Sequence, residues 1–493
     1  MQRRARKQTG SEHSPERLKM FIGGEWIESE GGETFDATNP ASGAVIATLP
    51  KGTRTDAQKA IDAANAARAR IAKLSTWERS RLCTAIADVM QARRKGLAEA
   101  LTTDQGKPYR AEAFKEVDAA IAGFREAAEQ VKWFASEFIP VENPDKRVFN
   151  FRQPRGVYAV ITPWNFPLAI PVEYLAPGLA VGNAIVWVPA PTTSVCAVRL
   201  MECIEEADVP PGVVNLVTGP GPVVGDEIVA NPGTDAIGFT GSAETGVLIA
   251  QRGAGKPLLL EMGGNGPVII LDDADLDIAC RAASIGCFAN AGQICSSSER
   301  ILVSDPVYDV ITERLIEAAQ DVRLGDPFDD GTTMGPLNNP DVAAKVAKHI
   351  ADGVERGAEV LFGGRVRRDL GSEMFHEPTV LTNVALDSLL NLEETFGPVA
   401  PLVRVSDDEK ILEIADRNTL GLVSSVYTRD IKRAFHFAER LRTGIVNIND
   451  TLYWERHIPF GGMSGKRSGI GRIGGKHTLM AMSDLKTVTF DLR

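Results

Sequence analysis

The chain has 493 residues, 44% of them apolar, with a net charge of −11 and a pI near 5.3. That length allows about two to four domains and a core large enough to stand without disulfides. The acidic balance argues against a dedicated nucleic-acid binder and against electrostatic attraction to anionic membranes.

The predicted elements follow in chain order. The run Arg3, Arg4, Arg6, Lys7 has no apolar face and is soon followed by Glu12 and Glu16, so residues 1–17 are expected to form a disordered basic arm. Helix is expected over 56–101, with Asp56 after Thr55 as a start signal, and over 110–138, ending before Pro140. Residues 147–152 (RVFNFR) alternate like a half-exposed strand. From 156 onward, short apolar runs at 157–161, 184–188 and 213–217 alternate with helical stretches at 168–181 and 194–207. This is the pattern of an α/β fold with a parallel, Rossmann-like sheet. A second such region begins near 267 (PVIIL) and continues past 440 (GIVNIN), and 486–492 is a final alternating strand.

Residues 174–198 carry no charge and are long enough to span a bilayer. Pro177, Pro189, Pro191, Gly178, Gly182 and Asn183 interrupt the run, and no Lys/Arg clusters flank it. It is read as a buried helix followed by a buried strand, with no membrane partner. The six cysteines (Cys83, Cys196, Cys203, Cys280, Cys287, Cys295) contain no Cys-x-x-Cys pair, and no secretory signal is evident. A reduced, cytoplasmic protein is expected.

Four segments have residues suited to chemistry. Thr162-Pro163-Trp164-Asn165-Phe166-Pro167 follows a strand directly, where open α/β sheets place ligands, and a held amide there would donate to an oxyanion. Phe239-Thr240-Gly241-Ser242 opens a helix whose free N–H groups suit a phosphate. In Leu260-Glu261-Met262-Gly263-Gly264, a carboxylate at the end of an apolar strand should have its pKa raised, which suits a general base. Gly292-Gln293-Ile294-Cys295 places the one cysteine with small, polar neighbours where a substrate can approach; the other five look like packing. Taken singly, each also has a plain structural reading: a rigid turn, a helix start, a capping Glu, an inert thiol. The louder Gly219-Pro220-Gly221-Pro222-Val223-Val224-Gly225 misses the dinucleotide spacing by one residue and is read as a turn into a helix.

Together, and in this order, the segments resemble the aldehyde dehydrogenase superfamily from about residue 20 onward. The resemblance rests on PWNFP at 163–167, FTGS at 239–242, LEMGG at 260–264, GQIC at 292–295, EETFGP at 393–398 and PFGG at 459–462. It implies Cys295 as nucleophile, Asn165 as oxyanion donor together with the Cys295 backbone N–H, and Glu261 as the base that activates hydrolytic water. It implies a nicotinamide cofactor met by Thr162, Trp164, Gly241, Ser242, Glu394 and Phe396. It also implies a cofactor domain from 18–131 and 153–262, a catalytic domain from 263–476, and a β arm from 132–152 and 477–493 that joins subunits into homodimers or homotetramers.

Three departures bear on specificity. Val188-Pro189-Ala190-Pro191 stands where the family usually reads Lys-Pro-x-Glu; with no Lys or Arg between 186 and 198, NAD is favoured and NADP stays open. Glu173 and Tyr174 stand where Trp and Lys are frequent, and Tyr453-Trp454-Glu455-Arg456-His457 precedes Pro459-Phe460. Phe166, Trp454 and Phe460 would form an aromatic funnel, with Glu173 set to attract an ammonium group and Arg456 or His457 a carboxylate. The expected substrate is a small amino aldehyde or amino-acid semialdehyde, such as aspartate semialdehyde, unless Glu173 and Arg456 pair with neighbours instead. Finally, the 463–469 loop is about two residues longer than usual, and Ile473 replaces a frequent Glu.

No metal site is expected: the six histidines lack ligand spacing, and Asp272, Asp273, Asp275 and Asp277 are read as helix-capping. Coenzyme A acylation, a nicotinamide-independent thiol esterase and a non-catalytic protein on the same scaffold remain as alternatives.

Overall fold

The computed structural model describes residues 15–493. Five parallel strands form the centre of an eight-stranded sheet. Its order is Gly469–Ile470, Leu258–Met262, Ala236–Gly241, Val157–Thr162, Ala184–Pro189, Val214–Leu216, Met20–Ile22, Glu25–Ile27. The chain starts this parallel set at Val157–Thr162, adds two strands on one side, then two on the other. The strand order therefore reverses between Val157–Thr162 and Ala236–Gly241, which pair in parallel. A crevice opens at such a reversal, beyond the carboxyl ends of the strands. The PWNFP and FTGS segments leave those two strand ends.

A second, seven-stranded sheet (Glu359–Phe362, Thr379–Thr382, Val399–Val405, Arg300–Ser304, Pro267–Ile270, Val423–Tyr427, Ile445–Ile448) is parallel except at its first strand. Its central strands are almost wholly buried. The third sheet joins Glu137–Ile139, Lys146–Pro154 and Ser483–Asp491, the last two in nine-residue antiparallel register. The uncharged 174–198 run is the expected helix-then-strand, Ala169–Val181 followed by Ala184–Pro189, both buried. No described helix is long and apolar enough to cross a membrane.

Several boundaries differ from expectation. The helix read over 56–101 is three helices, Arg54–Lys73, Thr76–Ala92 and Arg94–Gln105. Ser75 restarts the chain as a capping box with Glu78, so a local polar contact overrides an otherwise continuous helical composition. The helix read over 110–138 stops as regular helix at Gln130, and 137–139 is a strand of the third sheet, paired to Lys146–Pro154. Glu16 and Arg17 do not belong to a disordered arm; they pair with Ala47 and Thr48. Residues 1–14 of that expected arm lie outside the described residues. Gly469–Ile470, from within the expected catalytic segment 263–476, completes an edge of the first sheet beside Leu258–Met262.

Candidate active site

A cavity of about 630 Å³ opens between the two large sheets. Its wall brings together Trp164, Asn165, Phe166, Glu173, Gly241, Ser242, Glu261, Cys295, Glu394, Phe396, Trp454, Arg456 and Phe460, so segments scattered along the chain from 164 to 460 converge there. Thr162 and His457 are not in that wall. The buried Thr162 hydroxyl accepts from Trp187 Nε1 at 2.9 Å. His457 is exposed among Glu126 and Glu455 rather than aimed inward, so it is not positioned as the carboxylate anchor considered from sequence.

The Cys295 loop owes its shape to an unusual backbone. Asn290, Ala291 and Gly292 all adopt left-handed φ values (49°, 54°, 73°), which glycine and, to a lesser degree, asparagine tolerate and alanine does not. Buried side chains hold this turn. Asn290 donates from Nδ2 to the carbonyls of Asn165 and Gln293, both at 3.1 Å, and its own N–H donates to Glu112. Asn165 Nδ2 donates to the Gln293 carbonyl at 3.0 Å, which fixes the amide beside the cysteine loop. The glycine pair after Glu261 leaves room for the approach: a side chain on Gly264 would strike the Cys295 carbonyl, and one on Gly263 would strike the Glu394 carboxylate.

Burial sets the electrostatics. Glu261 is buried with no well-formed hydrogen bond to either carboxylate oxygen, so desolvation holds its pKa far above the usual carboxylate range, with the Arg472 charge and the Ile473 backbone N–H only partly opposing. The Cys295 thiol is pushed up to about 12, chiefly by burial and then by the Glu394 and Glu261 carboxylates. It is therefore protonated in the resting site. Glu394 receives the Gly264 N–H at 2.9 Å, and burial raises its pKa to about 7. Phe396, at φ 61°, meets Trp164 edge to face with ring centroids 5.5 Å apart.

The distal end of the cavity differs from expectation. Glu173 is not a free carboxylate waiting for an ammonium group: Arg456 pairs with it, and both side chains are mostly buried. Desolvation pulls the Arg456 pKa down to about 10. Two opposite charges at this depth are held together by the cost of leaving either one alone. Trp454 and Phe460 do form an aromatic pair, tilted at 66° with centroids 5.5 Å apart. Tyr174 donates its buried hydroxyl to the Phe239 carbonyl at 2.8 Å. The 463–469 loop returns to the site through Ser468, whose hydroxyl donates to the Gly263 carbonyl at 2.7 Å.

Sequence reasoning missed Lys107, Glu112, Glu116, Asn290 and Glu299. Glu299 receives the backbone N–H groups of Thr395 and Phe396 and so holds the loop that carries Glu394. No spacing marks these residues; an Asn-Ala-Gly triplet just before Gln293 is the only local hint. Conversely, Gly219 and Pro220 turn the chain into a helix, as read; it starts with the π-helical turn Gly221–Gly225, continues as Asp226–Ala230 and does not line the cavity. Asp275 caps the helix Leu276–Phe288, Asp273 binds Thr428 and Arg433, and no metal-holding cluster occurs among the described residues.

The aldehyde dehydrogenase family pattern matches residues 26–488. The chain belongs to the aldehyde dehydrogenase family. It is an NAD(P)-dependent aldehyde dehydrogenase in class and in fold. It is 39% identical over 478 residues to a succinate-semialdehyde dehydrogenase [NADP(+)] of Escherichia coli, covering 97% of this chain and 98% of the relative. It is 40% identical to a glutarate-semialdehyde dehydrogenase of Pseudomonas putida, covering 95% and 97%. Among solved structures, a betaine aldehyde dehydrogenase of Staphylococcus aureus in complex with NAD+ superimposes with a TM-score of 0.93 at 34% identity, covering 97% of this chain and 95% of that one.

Proposed function

We propose that the chain oxidises a short aldehyde with a charged far end to its carboxylate, through a thioester on Cys295 that a Glu261-activated water hydrolyses. The observation that carries this reading is the convergence of Cys295, Asn165 and the buried Glu261 on one cavity.

The other end of the cavity fits a nicotinamide cofactor. Glu394 offers a carboxylate for ribose hydroxyls, Phe396 and Trp164 wall an aromatic slot, and Ser242 starts the helix Ala243–Arg252, whose N-terminus favours a phosphate. The bound dinucleotide supplies the hydride acceptor. Val188 is buried and Pro191 has no charge, so neither attracts a 2′-phosphate, which supports NAD over NADP.

The chain's own groups do the rest. Cys295 gives its proton to solvent water and its sulfur adds to the carbonyl carbon. Asn165 Nδ2–H and the Cys295 backbone N–H hold the resulting oxyanion. Once the thioester has formed, Glu261 takes a proton from water, which attacks the acyl carbon and frees the thiol. A carboxylate placed there favours water over coenzyme A as the acyl acceptor.

For the substrate, Glu173 and Arg456 form an internally neutral pair at the cavity's far wall. A zwitterionic semialdehyde would satisfy both charges by exchange, ammonium to Glu173 and carboxylate to Arg456, while the aromatic pair packs its carbons. An NADH- and NADPH-forming assay should cover amino-acid, dicarboxylic and neutral aldehydes, with and without coenzyme A and with Cys295→Ala as control. It is expected to show preference for charged semialdehydes and a free acid product. Equal turnover of neutral aldehydes would defeat the substrate reading, and acyl-coenzyme A product would defeat the hydrolytic one.

The third sheet exposes Phe138, Leu485 and Phe490 on an open edge and face, which supports its role as a subunit-joining arm in a dimer or tetramer. Light scattering in solution tests this; a monomer at micromolar concentration contradicts it. The free thiols support a reducing compartment such as the cytoplasm.

A further inference from the structure

We infer that Lys107 and Glu116 form a positioning pair that sets the Asn165 amide against the Cys295 loop; this rests on the reading of Asn165 as oxyanion donor. Lys107 is fully buried yet lies in the cavity wall, as does Glu116. The ammonium group has three partners for its three hydrogens. It pairs with Glu116, donates to the Asn165 carbonyl at 2.8 Å, and sits 3.5 Å from the centroid of the Phe166 ring. Glu116 in turn receives the N–H groups of Leu168 (2.9 Å) and Ala169 (3.2 Å), at the start of the helix Ala169–Val181. Four points of the 165–169 segment are thus gripped by one ion pair: a carbonyl, an aromatic face and two amides.

The grip extends to the nucleophile loop. The Asn165 carbonyl that Lys107 binds also receives Asn290 Nδ2–H, and Asn290 and Asn165 both donate to the Gln293 carbonyl. Gln105, two residues before Lys107, donates to Asn290 Oδ1 at 3.2 Å. The stretch 105–116 therefore holds both sides of the oxyanion site. A buried ion pair contributes little net stability compared with apolar residues of the same size, so its cost at this place is explained by the geometry it imposes. A shift of about 1 Å in a catalytic group can cost on the order of 100-fold in rate.

The test compares Asn165→Ala, Lys107→Met, Lys107→Arg, the charge-neutral double variant Lys107→Met/Glu116→Gln, and Asn165→Ala combined with that double variant. Thermal melts restrict the comparison to folded protein; if Lys107→Met does not fold, the double variant, which leaves no unpaired charge, takes its place. We expect Asn165→Ala to lower kcat by about 100-fold or more. The double variant should lower kcat by about 10-fold or more with aldehyde KM and cofactor dissociation constant within about twofold, and Lys107→Arg should recover part of that loss. In the combined variant the two losses should not multiply, because the pair acts through Asn165. An undiminished kcat in Asn165→Ala overturns the reading of Asn165 itself. A kcat unchanged in the double variant, or losses that multiply in full, leaves that reading standing and overturns the positioning role of the pair.

Discussion

Glu394 makes no hydrogen bond with Cys295, yet its carboxylate is the largest single charge raising the Cys295 thiol pKa, ahead of Glu261. Burial first, and then the neighbouring Glu394 and Glu261, keep the nucleophile protonated at rest, which guards it from alkylation and oxidation until a substrate or base changes the balance.

Cys295 reactivity should consequently climb with pH. With its pKa at about 12, the thiolate fraction grows about tenfold per pH unit across the neutral and alkaline range. Iodoacetamide inactivation of the cofactor-free enzyme, followed from pH 7 to 10, should rise without levelling off; a plateau below pH 8 contradicts this. Glu394→Gln removes the stronger opposing charge and should speed inactivation at pH 8.

Glu261→Gln should separate the two halves of the reaction. The carboxamide cannot take a proton from water, so one equivalent of reduced cofactor should form rapidly and turnover should then fall by about 100-fold or more. Acid quenching and mass measurement should find the acyl group on Cys295. Steady turnover without an acyl adduct would remove Glu261 from its role as base.

Breaking the Glu173–Arg456 pair should cost stability as well as specificity. Glu173→Gln leaves a mostly buried guanidinium without its counter-charge, a loss of about 3 kcal/mol. Arg456→Met with Glu173→Leu should recover most of it while lowering kcat/KM for zwitterionic semialdehydes relative to neutral aldehydes. Denaturation curves and a paired substrate assay measure the two effects; unchanged selectivity in the double variant ends the pair's role in recognition.

Asp104 predicts a pH signature away from the chemistry. Burial raises its pKa to about 7, against the Cys196 N–H that it accepts at 2.9 Å. The folded state thus keeps a proton that the unfolded chain releases near pH 4. Stability linked to this group is complete below about pH 4 and is lost as pH rises through 7, in total on the order of 4 kcal/mol. Asp104→Asn keeps an acceptor for Cys196 but cannot ionise. Its melting temperature relative to the parent should rise between pH 5 and pH 8, and a constant difference contradicts the assignment.

The sequence made the site's front row legible because each member sits in a short segment marked by glycine or proline. Asn165 lies between two prolines, Glu261 precedes two glycines, and Cys295 follows Gly292. What supports them was not legible. Lys107 and Asn290 are 183 residues apart and meet only because both reach the Asn165 carbonyl. Helix boundaries failed where a single polar contact decided them, as at Ser75 and Glu78. Glu173 and Arg456 both stand out in the sequence, but their pairing spans 283 residues and depends on how the helix Ala169–Val181 packs against the loop that carries Arg456.

The strand that carries Glu261 has Gly469–Ile470 as its outer neighbour, and Met262 N–H donates to the Ser468 carbonyl. A growing chain therefore leaves the ribosome with that sheet edge unpaired while more than two hundred further residues are made. Until they arrive, the base's strand is an open template for other strands. Catalytic competence and protection from aggregation are completed together, at the last stage of synthesis.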